Sequence, residues 1–446
     1  MAVGRPVVDL ALDGVAWLVS HGLFRTVDVT GRSRIPDDRP IVIVANHFNG
    51  LVDAVLLAAV CRGVPRFVAK ATLWRSPLVR PLLALAGLVP VSRPEDHPGG
   101  PVDNATLFGR AYDLLRRHGM LAIFPEGTTH DRLELQRVRT GAARIALGAH
   151  DDGVEGVTLV PIGLTFDDKL ALRSRVLARV GDPIDVDRWL QKRGDADEAH
   201  DVDDHPTVQA LTEQIRRGLS ETTPRYDDVL ERAMLNRAAD VRLRTDLTSP
   251  DQIVSLASRE SLAQAIADAP APARREVMDA LGTYQVQLDL LRLRDDLLVP
   301  RVDARYVLRR ALGLTVYLVV LGVVVAAGVA VNVVPTFLTA VAGRRPAVPV
   351  TKGTVRVLAA LIVFPLAWLV VAIAAPVTGF WPTLAVFLAC PAAGAVAVGG
   401  LERVIALARA WAGWMGLRNT RGVLDRVLAT RRRVCEQVDL AAAQRL

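Results

Sequence analysis

The chain has 446 residues, 51% of them hydrophobic, and 54 Lys and Arg against 47 Asp and Glu give a formal net charge of +7. This length allows roughly two or three domains with a sizeable core. The positive charge is not accompanied by zinc-finger spacing or an aromatic RNA-binding motif, so no nucleic-acid partner is expected.

Residues 1–26 are set apart as an N-terminal amphipathic helix. Asp9 and Asp13 lie four apart on one face, and Val15, Trp17, Leu18 and Val19 make the remainder apolar. Such a helix either lies in a membrane interface or packs on the core. No cleavage site follows it, and no signal peptide is expected. From 27 to 190 short apolar strands alternate with helices, the pattern of an α/β domain with a mixed sheet flanked by helices. Ile41-Val42-Ile43-Val44 is a compact β-branched run suited to a buried strand. A helix is predicted over 51–60, strands over 121–124 and 158–162, and helices over 109–117 and 140–147.

An acidic stretch at 195–205 reads as an exposed linker. It falls in a region, 191–300, predicted as amphipathic helices broken near Pro224, Pro250 and Pro270 to Pro272. Residues 301–401 are predicted to be membrane-embedded, with transmembrane or re-entrant helices. No charged residue occurs from 311 to 342 or from 357 to 401, and about 20 such residues of helix cross a bilayer core. Asn332 and Pro335 could break the first segment, and Pro376 to Pro382 divide the second into two spans. Arg301, Arg305, Arg309 and Arg310 precede the first segment. Arg344, Arg345, Lys352 and Arg356 lie between the two, and a basic helical tail over 402–446 includes Arg431, Arg432 and Arg433. Basic flanks favour the cytoplasmic side and anionic lipid headgroups, so hairpins that keep every flank cytoplasmic are favoured over a simple three-span arrangement. The three cysteines, Cys61, Cys390 and Cys435, are scattered and odd in number. They suggest neither a disulfide framework nor a metal site, and they fit an active domain facing a reducing compartment.

The chemistry concentrates in four blocks. In Asn46-His47-Phe48-Asn49-Gly50-Leu51-Val52-Asp53, a strand would deliver His47 to a loop and Asp53 to the first turn of the next helix. A carboxylate there can fix the imidazole tautomer and stabilise the imidazolium, making His47 a general base for a hydroxyl. Alone, a His with five residues between it and an Asp reads more readily as a surface cap. The second block runs from Lys70 to Arg93, the third is Phe124-Pro125-Glu126-Gly127 followed by Thr128-Thr129-His130-Asp131-Arg132, and the fourth is Val160-Pro161-Ile162-Gly163-Leu164. By themselves His130 and Asp131 read as closing a turn.

Taken in this order, the blocks resemble the glycerol-phosphate and lysophosphatidate acyltransferase family, most strongly over 27–187. Most members of that family place four residues between the His and the Asp. The five found here are similar to a branch that includes fungal-type glycerol-3-phosphate and dihydroxyacetone-phosphate acyltransferases. The resemblance implies that His47, oriented by Asp53, deprotonates an acceptor hydroxyl that attacks a fatty acyl thioester. It implies that Arg93, Glu126 and Gly127 bind a phosphate-bearing acceptor. Many relatives carry an arginine where Thr129 stands, and Arg132 is taken as its replacement, with Lys70 and Arg75 as further candidates for the same pocket. The fourth block would shape the acyl-donor side.

The implied activity is O-acyl transfer to glycerol 3-phosphate in phospholipid biosynthesis. The implied co-substrate is acyl-CoA or an acyl carrier protein thioester, with no metal and no other cofactor. The expected partners are this acyl thioester donor, a phosphate-bearing glycerol or lysolipid acceptor, and membrane lipids. The expected location is the cell membrane, with the catalytic domain on the cytoplasmic face. Lysophosphatidate or another lysolipid is the alternative acceptor. A non-catalytic lipid-binding membrane scaffold is the alternative of another class, while a transporter is disfavoured because the apolar spans hold no ionisable residue.

Overall fold

The computed structural model describes residues 10, 14, 16, 19–20, 22–61, 63–75, 80–85, 87–91, 105–130, 132, 134–168, 171, 173–194, 205–344, 349–419 and 422–444. They fall into two compact units. The first comprises Met1–Pro224 with Pro349–Thr354, and the second Arg225–Val348 with Val355–Leu446. The helix expected over 1–26 and the acidic linker at 195–205 lie largely outside the described residues.

The first unit runs β1 (Phe24–Thr30), β2 (Ile41–Ala45), α1 (Leu51–Val60), β3 (Arg66–Lys70), α2 (Arg80–Leu85), β4 (Val89–Val91), α3 (Ala105–Leu115), β5 (Met120–Ile123), α4 (Gly141–Asp151), β6 (Thr158–Phe166), β7 (Ser174–Val180), β8 (Ile184–Asp185), α5 (Val186–Arg193) and α6 (His205–Thr222). The strands form one sheet in the order β1-β7-β6-β2-β5-β3-β4, with β8 also paired to β6. It is mixed: β2, β3, β4, β5 and β6 run parallel, whereas β7 and β8 are antiparallel to β6.

β2 lies at the middle of this sheet with all five residues buried. Its β-branched side chains suit a strand covered on both faces, where an alternating pattern is not needed. Val44 pairs with Ile123 of β5, and Ala45 pairs with Ile162 of β6. Because these strands are parallel, their C-terminal ends meet at one edge, the usual place for a site in an α/β sheet.

Amphipathic helices cover one face. Leu107, Ala111 and Leu115 of α3 and Val208, Leu211, Ile215 and Leu219 of α6 form apolar stripes at helical spacing, packed with α4 against Val42, Val44, Leu121 and Leu159. The sequence boundary at 190 falls inside this unit, since α6 packs on β6. They come close at Gly163, where a Cβ would lie 2.2 Å from Thr222 O. All nine residues of β6 are buried, so the fourth sequence block sits in the sheet interior.

The second unit begins with α7 (Val229–Arg244), α8 (Leu256–Ala267), α9 (Ala271–Leu290) and α10 (Asp295–Leu298), and ends with α14 (Leu424–Ala443). Side-chain caps from Asp228 and Ser255 start α7 and α8. The segment expected to be a basic tail is instead part of a core. Leu424, Val427, Val434 and Val438 of α14 pack with Leu235, Ala263, Leu281 and Tyr284. Arg431, which in the sequence belongs to a basic flank, is 4% exposed. It donates to Asp295 Oδ1 at 2.8 Å and to Val241 O at 2.5 Å, while Tyr284 Oη donates to the same Asp295 oxygen at 2.7 Å.

Among the described residues, three helices are long and apolar enough to cross a membrane: α11 (Ala304–Ala342), α12 (Pro349–Ala374) and α13 (Phe380–Asn419). α11 continues unbroken through Asn332 and Pro335, so no hairpin forms within 311–342. The chain turns instead at 375–379, between α12 and α13. Asn332 joins the three helices: its Nδ2 donates to Cys390 O of α13 at 3.3 Å, and its Oδ1 accepts from Trp368 Nε1 of α12 at 3.0 Å. A Cβ at Gly328 would lie 2.1 Å from Ala393 O. Small residues at such contacts let apolar helices approach closely.

Candidate active site

The loop after β2 carries the histidine. Asn46, fully buried, is held by β6 on both sides of its amide: Oδ1 accepts from Leu164 N at 2.7 Å and Nδ2 donates to Leu164 O at 2.9 Å. The next residue, His47, is therefore delivered from a fixed base. Its ring stacks on Phe124 with centroids 4.0 Å apart. Gly50 then takes φ 58° and ψ −122°, values for the first central position of a type II′ turn, where a side chain is disfavoured. Asn49 O accepts from Val52 N across that turn at 3.2 Å.

The turn sets Asp53 in the first turn of α1, fully buried. Asp53 Oδ2 lies 3.0 Å from His47 Nδ1 and accepts from Asn49 N at 2.7 Å. A carboxylate can only accept, so Nδ1 carries the hydrogen and Nε2 is left with its lone pair in the neutral ring. His47 keeps 18% of its side chain exposed. An imidazole so oriented can take a proton from a bound hydroxyl. The fifth intervening residue is thus absorbed in the turn, with the pair in contact.

Glu126, 2% exposed, holds the loop from the other side. Its Oε1 accepts from His47 N at 2.9 Å, and its Oε2 accepts from Gln136 N at 2.8 Å and meets His130 Nε2. His130 N donates to His47 O at 3.3 Å, and its ring stands edge-on to Phe48 at 5.2 Å. Where the sequence suggests only a turn closure, His130 is built into the same network, against the flanks of the loop that carries His47.

The other named residues are more scattered. Gly127 has φ 72°, and a Cβ there would lie 2.9 Å from Arg139 Nε. Arg139 is a neighbour that sequence reasoning passes over, brought close because its N donates to Pro125 O at 2.9 Å. Lys70 is exposed at the end of β3, and Arg75 is exposed at the end of the 3-10 turn Ala71–Arg75. Arg132 is exposed and donates to Gln136 Oε1 at 3.4 Å. Arg93 and Asp131 lie outside the described residues. Among the described residues, no group of three His, Cys, Asp or Glu is arranged to hold a metal ion.

Residues 26–165 match the sequence model of the Acyltransferase family. The chain is 35% identical over 133 residues to glycerol-3-phosphate O-acyltransferase 2 of Saccharomyces cerevisiae, covering 29% of this chain and 17% of that protein. It is 30% identical over 128 residues to glycerol-3-phosphate O-acyltransferase 1 of the same yeast, covering 28% and 16%. The chain thus spans about a sixth of the length of these curated relatives. A crystal structure of the 1-acyl-sn-glycerophosphate acyltransferase PlsC from Thermotoga maritima aligns with a TM-score of 0.35 at 20% identity, covering 49% of this chain and 81% of that one. The resemblance to the fungal-type branch, read from the five-residue spacing between His47 and Asp53, agrees with the two yeast relatives. Residues 26–165, with the His47–Asp53 pair at the open edge of their sheet, make up an acyltransferase-family domain.

Proposed function

We propose that the protein is a membrane-bound O-acyltransferase that moves a fatty acyl group from a thioester to the hydroxyl of glycerol 3-phosphate, in phospholipid biosynthesis. The observation that carries this reading is the Asp53–His47 contact at 3.0 Å, with the aspartate fully buried and the imidazole partly open. In this mechanism His47 Nε2 takes the hydroxyl proton as the oxygen attacks the thioester carbonyl carbon. Asp53 stabilises the imidazolium that forms. The tetrahedral intermediate collapses with loss of the carbon–sulfur bond, and the departing thiolate takes the proton back from the ring. No covalent acyl-enzyme is required.

The acceptor phosphate calls for cations, and guanidinium suits it through paired hydrogen bonds. Arg93, Arg132 and Lys70 are proposed for that role, together with Gly127, whose missing side chain leaves room for Arg139. Acyl-CoA or acyl carrier protein supplies the acyl group. The yeast relatives, which are glycerol-3-phosphate O-acyltransferases, support glycerol 3-phosphate as acceptor. The three apolar helices and their basic flanks support an integral place in the cell membrane, with the domain on the cytoplasmic side.

The test is acyl transfer by purified full-length protein in detergent, with labelled acyl-CoA or acyl carrier protein as donor. Glycerol 3-phosphate and lysophosphatidate are offered separately to wild type and to His47→Ala. Product from glycerol 3-phosphate that disappears in the variant is the expected result. Product from lysophosphatidate alone would move the protein to the second acylation step. Transfer that persists undiminished in His47→Ala, or that is missing with every donor and acceptor, would overturn the reading.

A further inference from the structure

α1 starts without a cap of its own. Its N-cap is Gly50, which has no side chain to accept from the first amides, and the opening N–H groups of a helix have no partner within it. A Ser or Thr at this position would accept from the second or third amide of the helix; the first amide is met instead by the hydroxyl of Thr354, 303 positions later in the chain. Leu51 N donates to Thr354 Oγ1 at 3.2 Å. Thr354 lies early in α12, and Pro349–Thr354 belong to the first compact unit.

The approach is close on both sides. A Cβ on Gly50 would lie 2.4 Å from Thr354 Oγ1, and a Cβ on Gly353 would lie 2.7 Å from Asn49 Oδ1. Gly353 and Thr354 therefore press on two consecutive residues of the catalytic turn. One of them, Asn49, donates its N–H to the Asp53 oxygen that also holds His47. A shift of this turn moves the start of α1, and with it the carboxylate that orients the imidazole.

We propose that Thr354 is a positioning residue for the acyl-transfer site, acting as a cap supplied from a distant part of the chain to the helix that carries Asp53. It touches neither substrate nor the reacting atoms. Its role is to fix where α1 begins, and hence how Asp53 meets His47. The catalytic geometry is thereby completed by the first turns of a helix whose remainder is apolar enough to enter a membrane. The inference rests on the acyltransferase reading for its kinetic consequence, but the capping contact can be measured without it.

The experiment compares the full chain in detergent as wild type, Thr354→Val, Thr354→Ser and Gly353→Ala. Two quantities are followed: amide hydrogen exchange over 49–60, and kcat and KM for glycerol 3-phosphate. Thr354→Val keeps the shape and removes the acceptor, so exchange at the first turn of α1 should rise about fivefold, with exchange elsewhere in the sheet unchanged. The kcat should fall roughly tenfold with little change in KM, because misplacement of a catalytic group acts on the chemical step. Thr354→Ser should restore both, and Gly353→Ala, which keeps the hydroxyl but crowds Asn49, should show the same kcat-selective loss. Wild-type exchange in Thr354→Val would overturn the cap, as would a serine variant that behaves like the valine. A wild-type protein without acyl transfer would sink the enzymatic reading alone, since the exchange comparison still decides the cap.

Discussion

Glu126 grips the backbone of His47: its buried Oε1 accepts from His47 N at 2.9 Å, while Oε2 accepts from Gln136 N and meets His130 Nε2. Each oxygen is thus already bound to protein. This arrangement ties the segment after β5 to the loop after β2, across the two strands that deliver them. An acidic side chain held in this way serves the site through the position of His47.

Glu126→Ala should therefore lose kcat and stability together. Removing a buried acceptor strands the amides of His47 and Gln136, at a cost of about 1–3 kcal/mol for each unpaired group. The expected outcome is a lower Tm and a kcat reduced more than tenfold, with a small change in the KM for glycerol 3-phosphate. Steady-state kinetics beside a thermal melt checks this; a variant with normal Tm and kcat but raised KM would mean that Glu126 binds the acceptor directly.

Asp53→Asn keeps the size of the side chain but exchanges an acceptor for an amide that can turn its donor towards His47 Nδ1. The ring is then held in the wrong tautomer, and the loss in kcat should be about a thousandfold or more. Nitrogen-15 NMR of the labelled histidine reads the tautomer directly. An Asp53→Asn variant that kept the wild-type tautomer and rate would remove Asp53 from the mechanism.

Acid stability should depend on Asp185. Burial works to raise its pKa, but hydrogen bonds from Arg188 N and Arg39, with the charges of both arginines, outweigh that and leave it lowered. Asp185 also caps α5 and pairs with Arg39 at 2.7 Å. A carboxyl group with a lowered folded-state pKa stabilises the fold above its unfolded value of about 3.9, and that contribution is lost as pH falls through the folded-state value. Asp185→Asn should flatten the decline in Tm below about pH 4 while leaving an asparagine able to cap. An unchanged acid limb would show that other carboxyl groups govern it.

The pair Arg431–Asp295 should be costly to break from one side. Both residues are nearly fully buried, and removing Arg431 leaves Asp295 only the more distant Arg244, whose Nε lies 3.7 Å from its Oδ2, so the loss should approach that of a broken buried pair, about 3–5 kcal/mol. Arg431→Ala should lower the unfolding midpoint strongly and expose α14 to protease. Arg431→Met combined with Asp295→Leu should recover much of the loss, because the apolar pair leaves no buried charge. Limited proteolysis of wild type and the two variants distinguishes these outcomes.

Much of the first unit is readable because its signals are local. The run 41–44 is β-branched and uninterrupted, and β2 is buried along its whole length. His47 and Asp53 are near in sequence and share one strand-turn-helix, so their contact follows from that unit. The apolar segments are equally plain, since nothing charged interrupts them. What escapes is set by distant partners. Arg431 reads as a solvated or lipid-facing cation because its counter-charge, Asp295, is 136 positions away. Asn332 reads as a possible break because two of its partners, Cys390 O and Trp368 Nε1, lie on α13 and α12, far along the chain. β1 and β7 mix charged with apolar residues, as in Arg25, Asp28, Arg175 and Arg179. Their pairing, with Thr30 opposite Arg179, becomes evident only when the sheet is assembled.

The discontinuity of the first unit has a consequence for how the chain is made. Met1–Pro224 emerge well before Pro349–Thr354, and everything from Arg225 to Val348 is synthesised between them. At roughly 5–20 residues per second, that interval lasts on the order of ten seconds. Throughout it, Leu51 N lacks the hydroxyl it will meet, and by its end the first long apolar helix has been synthesised. The first unit is therefore complete in sequence only as the second apolar helix begins, so that its last residues and the start of that helix leave the ribosome together.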